Sequence, residues 1–120
     1  MGLLEDNIAK LNDHLAQFVE NGVLNRIGGE DTYGSAGVFD TVSPVDKSTI
    51  CKVAHGTEAD IDAAANAAND AFASWRDMPA TERRKILHRV ADGIEARAEE
   101  FALCECWDTG QVYKFMSKAA

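Results

Sequence analysis

The sequence predicts an α+β chain, mostly helical, with a small antiparallel strand element at its middle. Two patterns carry this. Apolar residues recur at three- and four-residue spacings through separate segments, the signature of helices with one buried stripe. Between the first two of these segments, β-branched residues cluster at Thr41–Val45 and Ser48–Val53 on either side of a turn. Length sets the scale: 120 residues is one domain's worth of polypeptide, enough for a modest core.

Taken in order, residues 3–20 read as an amphipathic helix. Leu4, Ile8, Leu11, Leu15, Phe18 and Val19 share one face, and Asn21-Gly22 signals its end. This helix packs on its own protein or, in a second reading, binds a partner. Glycines at 28, 29, 34 and 37 then mark turns, with short strands expected at about 24–27, 38–43 and 49–54. Pro44-Val45-Asp46-Lys47 joins the last two. Thr57, with Asp60 three residues on, opens a helix over 57–75 whose face is Ile61, Ala64, Ala65, Ala68, Phe72 and Trp75. Pro79 separates it from a helical stretch over 80–108, interrupted near Gly93 or Arg97, with Ile86, Leu87, Val90, Ile94, Phe101 and Ala102 as its stripe. Gly110 caps that stretch, and residues 112–120 begin another helix. The chain divides into a helical leader, 1–22, and the region 23–120.

Composition excludes several classes. There are 12 Lys and Arg against 20 Asp and Glu, a net charge of −8. A nucleic-acid footprint needs a basic excess, so no nucleic-acid partner is expected. No stretch approaches the about 20 apolar residues of a membrane span. MGLLEDNIAK has early acids and no basic opening, unlike a secretory signal, and Asp6 stands where a myristoylation motif wants Ser or Thr. Three cysteines are an odd, low count that implies no disulfide framework. The expected location is the cytoplasm.

Residues able to carry chemistry are sparse. His14, His55 and His88 lie far apart, without partners at metal-ligand spacing. Cys104 and Cys106 point in different directions on a helix and cannot form half a tetrahedral zinc site; Cys51 falls on a strand. Gly28-Gly29-Glu30 lacks the spacing of a phosphate-binding loop and reads as a β-turn. Arg83, Arg84, Lys85, His88 and Arg89 form a basic cluster on a helix that continues into Glu95, Glu99 and Glu100. That order opposes the helix macrodipole, so contacts outside the helix selected it. Asp108-Thr109-Gly110 matches the triplet of retroviral-type aspartic proteases, but it follows a helical segment where those enzymes have a strand.

Six segments in order resemble the N-terminal part of an aldehyde dehydrogenase. They are Asn25–Glu30; Phe39-Asp40-Thr41-Val42-Ser43-Pro44, with Ser43 where the family usually has Asn; Ile50–Ala54 with Gly56-Thr57; Ile61 through Trp75; Pro79 to Ile94; and Glu105–Gly110. Within the family, residues 104–120 and the leader look most like the 5-carboxymethyl-2-hydroxymuconate semialdehyde dehydrogenases of bacterial aromatic-acid breakdown. The resemblance implies the N-terminal portion of the α/β aldehyde dehydrogenase fold, packed against a doubly wound cofactor domain. It implies an enzyme that oxidises an aldehyde to a carboxylate with NAD or NADP, through a cysteine nucleophile and an activated water, and that is a homo-oligomer. Family members run to roughly 500 residues, beyond a one-domain length. Their nucleophile, base and cofactor glycines match nothing up to Ala120, so no catalytic or cofactor-binding residue is expected here and the fragment should be inactive alone. The resemblance also implies a structural sodium or potassium ion held by the backbone carbonyls of Thr41 and Val42 and by Asp108, with a further ligand from outside these residues. The alternative to an enzyme segment is a small stand-alone helical interaction module.

Overall fold

The computed structural model describes residues 2–119. Helix α1, Leu3–Asn21, buries Leu11. Beyond Gly22 the chain straightens and Val23 joins the sheet: its N–H donates to the Lys52 carbonyl and its own carbonyl accepts from the Ala54 N–H, both at 2.8 Å. Strands β1, Asn25–Ile27, and β2, Glu30–Thr32, pair antiparallel across Gly28-Gly29. Both glycines have positive φ, 61° and 88°, which the twist of a two-residue hairpin turn requires. The sequence signals this turn but hides β2, because Glu30 and Asp31 are poor strand formers. Strand Glu30–Thr32 forms through its partner, aided by an Arg26–Asp31 ion pair at 2.8 Å.

Strands β3, Val38–Val42, and β4, Thr49–Ala54, make the second antiparallel pair, with Val38 opposite Ala54 and Thr41 opposite Cys51. The register slips between Thr41 and Val42, an irregularity that twists the end of the pair. Their connection is closed by the Ser43 N–H donating to the Ser48 carbonyl and the Lys47 N–H to the Ser43 carbonyl, each at 2.9 Å.

Helix α2, Glu58–Asp77, starts as expected at Thr57: the Thr57 N–H donates to the Asp60 carboxylate at 2.7 Å. The same carboxylate accepts from the Ser35 hydroxyl at 2.6 Å and its N–H at 3.1 Å, which ties the preceding loop to the helix start. Helix α3, Ala80–Glu95, follows Pro79, and Arg83 reaches back to carbonyls at the end of α2, including Arg76 at 3.0 Å and Met78. The interruption falls at Ala96-Arg97, while Gly93 stays helical. Helix α4, Ala98–Thr109, and helix α5, Tyr113–Ala119, complete the described chain; the expected extension to residue 120 lies outside the described residues.

The core sits where α1, β4 and α4 meet. It holds Leu11, Ile50, Cys51, Ala54, Ala102 and Leu103. A Lys10–Glu99 ion pair at 2.6 Å links α1 to α4 at its edge. Helices α2 and α3 bury no residue, and Ile61, Phe72, Leu87 and Val90 remain more than half exposed. The radius of gyration is 17.5 Å, against about 14 Å for a compact chain of this length. The accessible surface is 8730 Å², some 2,400 Å² above the roughly 6,300 Å² typical of a compact 13.0 kDa monomer. Helix faces patterned for burial are uncovered in this chain.

Candidate functional site

Two polar side chains of the β3 end, Thr41 and Ser43, find long-range partners where the C-terminus of α4 meets that strand. Gly110 ends α4 in the left-handed conformation, φ 74° and ψ 14°, its N–H donating to the Cys106 carbonyl at 3.0 Å. The last turn of a helix leaves carbonyls without intrahelical donors. Here Ser43, fully buried, supplies one: its hydroxyl donates to the Trp107 carbonyl at 2.6 Å and accepts the Val45 N–H at 3.2 Å. The Thr109 hydroxyl donates to the Glu105 carbonyl at 2.7 Å. Beside this cap, the Thr41 hydroxyl donates to the Asp108 carboxylate at 3.3 Å.

The structure therefore brings Thr41 and Asp108 together across 67 residues of sequence, with Val42 next along the strand at its register slip. The local field is negative. Asp108 and Glu105 stand at the negative end of the α4 dipole, and the last turn has no basic residue. Neighbouring thiols feel it. Burial pushes the Cys51 thiol up, and the Asp108 charge adds to the effect. Burial raises Cys106 likewise, with Glu105 contributing, and raises Cys104, with Glu100 contributing. All three are thus protonated at neutral pH and are weak nucleophiles.

The side chains that meet at this seam bear oxygen donors, the Asp108 carboxylate and the Thr41 hydroxyl. A hard, weakly charged cation of sodium or potassium type suits that set. Among the described residues no group of three His, Cys, Asp or Glu could hold a metal ion. His55 packs edge-on against Phe39, ring centroids 5.8 Å apart. The protease-like triplet closes a helix rather than a strand, and Gly28-Gly29 is a hairpin turn rather than a phosphate loop. The adjoining cleft, about 410 Å³, lies between α1, β3–β4 and α4 and is mainly apolar, with Phe39, Val53, Phe101 and Cys104 in its walls.

Sequence reasoning singled out Asp108, Thr41 and Val42 but assigned no structural role to Ser43. The only local signal was a serine at the end of a β-branched run, and its partner lies 64 residues away. No helix among the described residues is long and apolar enough to cross a membrane.

Comparison with known proteins bears on most of the chain. The sequence model of the aldehyde dehydrogenase family matches residues 32–120. Human mitochondrial 10-formyltetrahydrofolate dehydrogenase is 43% identical over 95 residues, covering 77% of this chain and 10% of that protein. The 2-hydroxymuconic semialdehyde dehydrogenase of Pseudomonas sp. strain CF600 is 45% identical over 78 residues, covering 64% of this chain and 16% of that protein. The crystal structure of HpcC from Thermus thermophilus superposes with a TM-score of 0.86 at 32% identity, over 92% of this chain and 22% of that one. The chain thus spans between about a tenth and a quarter of the length of these relatives.

Proposed function

Because the chain belongs to the aldehyde dehydrogenase family, we propose that it is the N-terminal segment of an NAD(P)-dependent enzyme that oxidises an aldehyde to a carboxylate. The observation that carries this reading is the family match over residues 32–120. Aldehyde oxidation needs a thiolate nucleophile, a base and a nicotinamide to accept hydride. The raised thiols of Cys51, Cys104 and Cys106 are poor candidates for the nucleophile, and on this reading the nucleophile, the base and the cofactor site lie in sequence outside this chain. The segment's part is architectural. Residues 1–22 form a leader helix, and residues 23–120 open the cofactor-domain region.

The substrate we favour is a semialdehyde of aromatic-acid breakdown. Its support is the 45% identity to a 2-hydroxymuconic semialdehyde dehydrogenase; the 43% identity to a formyltetrahydrofolate dehydrogenase is the competing indication. A cytoplasmic, homo-oligomeric enzyme without a nucleic-acid partner fits the net charge of −8 and the unpaired thiols. We further place a structural sodium or potassium ion at Asp108 and the carbonyls of Thr41 and Val42, supported by the all-oxygen donors and the negative helix end.

The test is expression of this segment together with whatever follows Ala120 in frame, with NADH and NADPH formation followed for each substrate class. Turnover of a hydroxymuconic semialdehyde at least tenfold above that of 10-formyltetrahydrofolate is expected, with no turnover by the 120-residue chain. Absence of any aldehyde oxidation by the longer protein would favour the second reading, a stand-alone interaction module, which the uncovered faces of α2 and α3 support. For the ion, Asp108→Asn should remove the dependence of thermal stability on sodium or potassium; equal ion dependence in variant and parent would remove the site.

A further inference from the structure

We propose that Asn21-Gly22 is a site of spontaneous deamidation, gated by the last turn of α1, whose product loosens the leader helix from the sheet. Of the six asparagines in the sequence, Asn21 alone is followed by glycine. Glycine leaves its amide nitrogen least hindered for attack on the preceding side-chain amide. Here glycine is imposed by the fold. Gly22 turns the chain out of α1 with φ 72°, and a Cβ there would stand 2.9 Å from the Lys52 carbonyl oxygen. The reactive pair therefore comes with the way the leader joins β4. Asn21 itself is exposed and open to water.

The reaction balances with water as its only co-reactant. The Gly22 nitrogen attacks Asn21 Cγ; that N–C bond forms as the bond from Cγ to the side-chain nitrogen breaks. The Gly22 amide proton passes through water to the departing nitrogen, which leaves as ammonia. Water then opens the five-membered imide. Breaking the nitrogen's bond to Cγ gives Asp; breaking its bond to the main-chain carbonyl carbon gives isoaspartate, with a main chain one carbon longer.

In the folded chain the preceding turn holds both reacting groups. The Gly22 N–H donates to the Phe18 carbonyl at 2.8 Å, and Asn21 Nδ2 donates to the Gln17 carbonyl at 3.0 Å. Ring closure breaks the first bond and takes Asn21 out of helical geometry, so it proceeds from the frayed helix end. The gate is light: the last turn has no basic residue and sets Glu20 at the negative end of the dipole. The product fits worse still. It places a carboxylate where a neutral amide stood, and the added carbon lies beside Val23, which is fastened to Lys52 and Ala54 by two 2.8 Å bonds. The step therefore runs one way, from a docked leader to a loosened one. It does not depend on the enzymatic assignment.

The test is ageing of the 120-residue chain at mildly alkaline pH, folded and in urea, with peptide mapping that resolves Asn, Asp and isoaspartate. In the folded chain Asn21 should convert at least about tenfold faster than Asn66 or Asn69, yet at least about fivefold slower than Asn21 in urea. Glu20→Lys, which answers the dipole, should lower the ratio of folded to unfolded rate about threefold. Hydrogen exchange at the Val23 and Ala54 amides should quicken in the aged chain. It should not quicken in aged Asn21→Gln, whose longer side chain cannot close the five-membered ring. Conversion at Asn21 no faster than at the other asparagines would remove the site. Equal rates folded and in urea would remove the gate, and unchanged exchange at Val23 and Ala54 after full conversion would remove the effect on the leader. Any of the three overturns the proposal.

Discussion

Replacing Ser43 by alanine tests whether the seam between β3 and α4 is held by one hydroxyl. Ser43 is fully buried, and its oxygen serves two groups at once, donating to the Trp107 carbonyl at 2.6 Å and accepting from the Val45 N–H at 3.2 Å. Alanine fills nearly the same space, so no cavity term enters. What is lost is the donor to a helix-end carbonyl and the acceptor for an amide. A buried polar group left unpaired costs about 1–3 kcal/mol. Val45 is 57% exposed, so water can serve its amide, and the loss falls mainly on Trp107. The expected destabilisation is about 2 kcal/mol. With unfolding entropy of about 2.1 cal/mol/K per residue, that lowers the melting temperature of a chain this size by about 8 °C. The assay is thermal and urea unfolding followed by helical circular dichroism, with the exposed Ser117→Ala as control, expected within ±0.5 kcal/mol of the parent. A Ser43→Ala variant that melts with the control would show that the hydroxyl contributes nothing and that β3 and α4 are held by other contacts.

Three further outcomes are expected. Gly110→Ala should destabilise by about 1–2 kcal/mol, because a left-handed residue with a Cβ is strained and that Cβ would come within 3.3 Å of the Pro44 ring; an unchanged unfolding midpoint would contradict the cap geometry. The Ser35 hydroxyl, followed by the Thr57 and Ser35 N–H groups, holds the Asp60 carboxyl at about 2, below its usual 3.8. Its folded value lies below its unfolded one, so its stabilisation is complete above pH 3.8 and drains away as pH falls towards 2; Asp60→Asn should flatten acid unfolding in that window, and parallel acid titrations of variant and parent would refute the assignment. Alkylation by iodoacetamide at pH 7 should be slow at all three cysteines and accelerate above pH 9, because the thiols are raised; a cysteine labelled rapidly at neutral pH would contradict that shift.

What the sequence made legible follows from the range of the forces involved. Helices α1, α2 and α3 announce themselves because their stripes and caps lie within a few residues: Thr57 and Asp60 are three apart, and Pro79 stops α2 without outside help. The β3–β4 pair is likewise local. Strand β2 was invisible because Glu30-Asp31-Thr32 becomes a strand only by facing β1 across two glycines. The break at Ala96-Arg97, rather than at Gly93, was ambiguous because a single glycine in a helix costs only about 1 kcal/mol, which propagation of the helix overrides. At the site, Asp108, Thr41 and Val42 were named through family resemblance and not through spacing. The structure brings Thr41 and Asp108 within hydrogen-bond reach. Ser43 was unreadable because its partner is a backbone carbonyl, which has no letter of its own in a sequence.

The distances along the chain that the core must bridge also fix when it can exist. Lys10 waits for Glu99, Thr41 for Asp108 and Ser43 for Trp107, spans of 89, 67 and 64 residues. During synthesis the β3–β4 pair and the α1 that packs on β4 are complete once Ala54 has emerged, but the side of the core that α4 covers stays open until Thr109 follows. At about 5–20 residues per second that interval is roughly 3–11 seconds. For those seconds the nascent chain presents a sheet covered by α1 alone. That interval, set by the ribosome's pace across α2 and α3, adds to the apolar helix faces that stay uncovered in the finished chain.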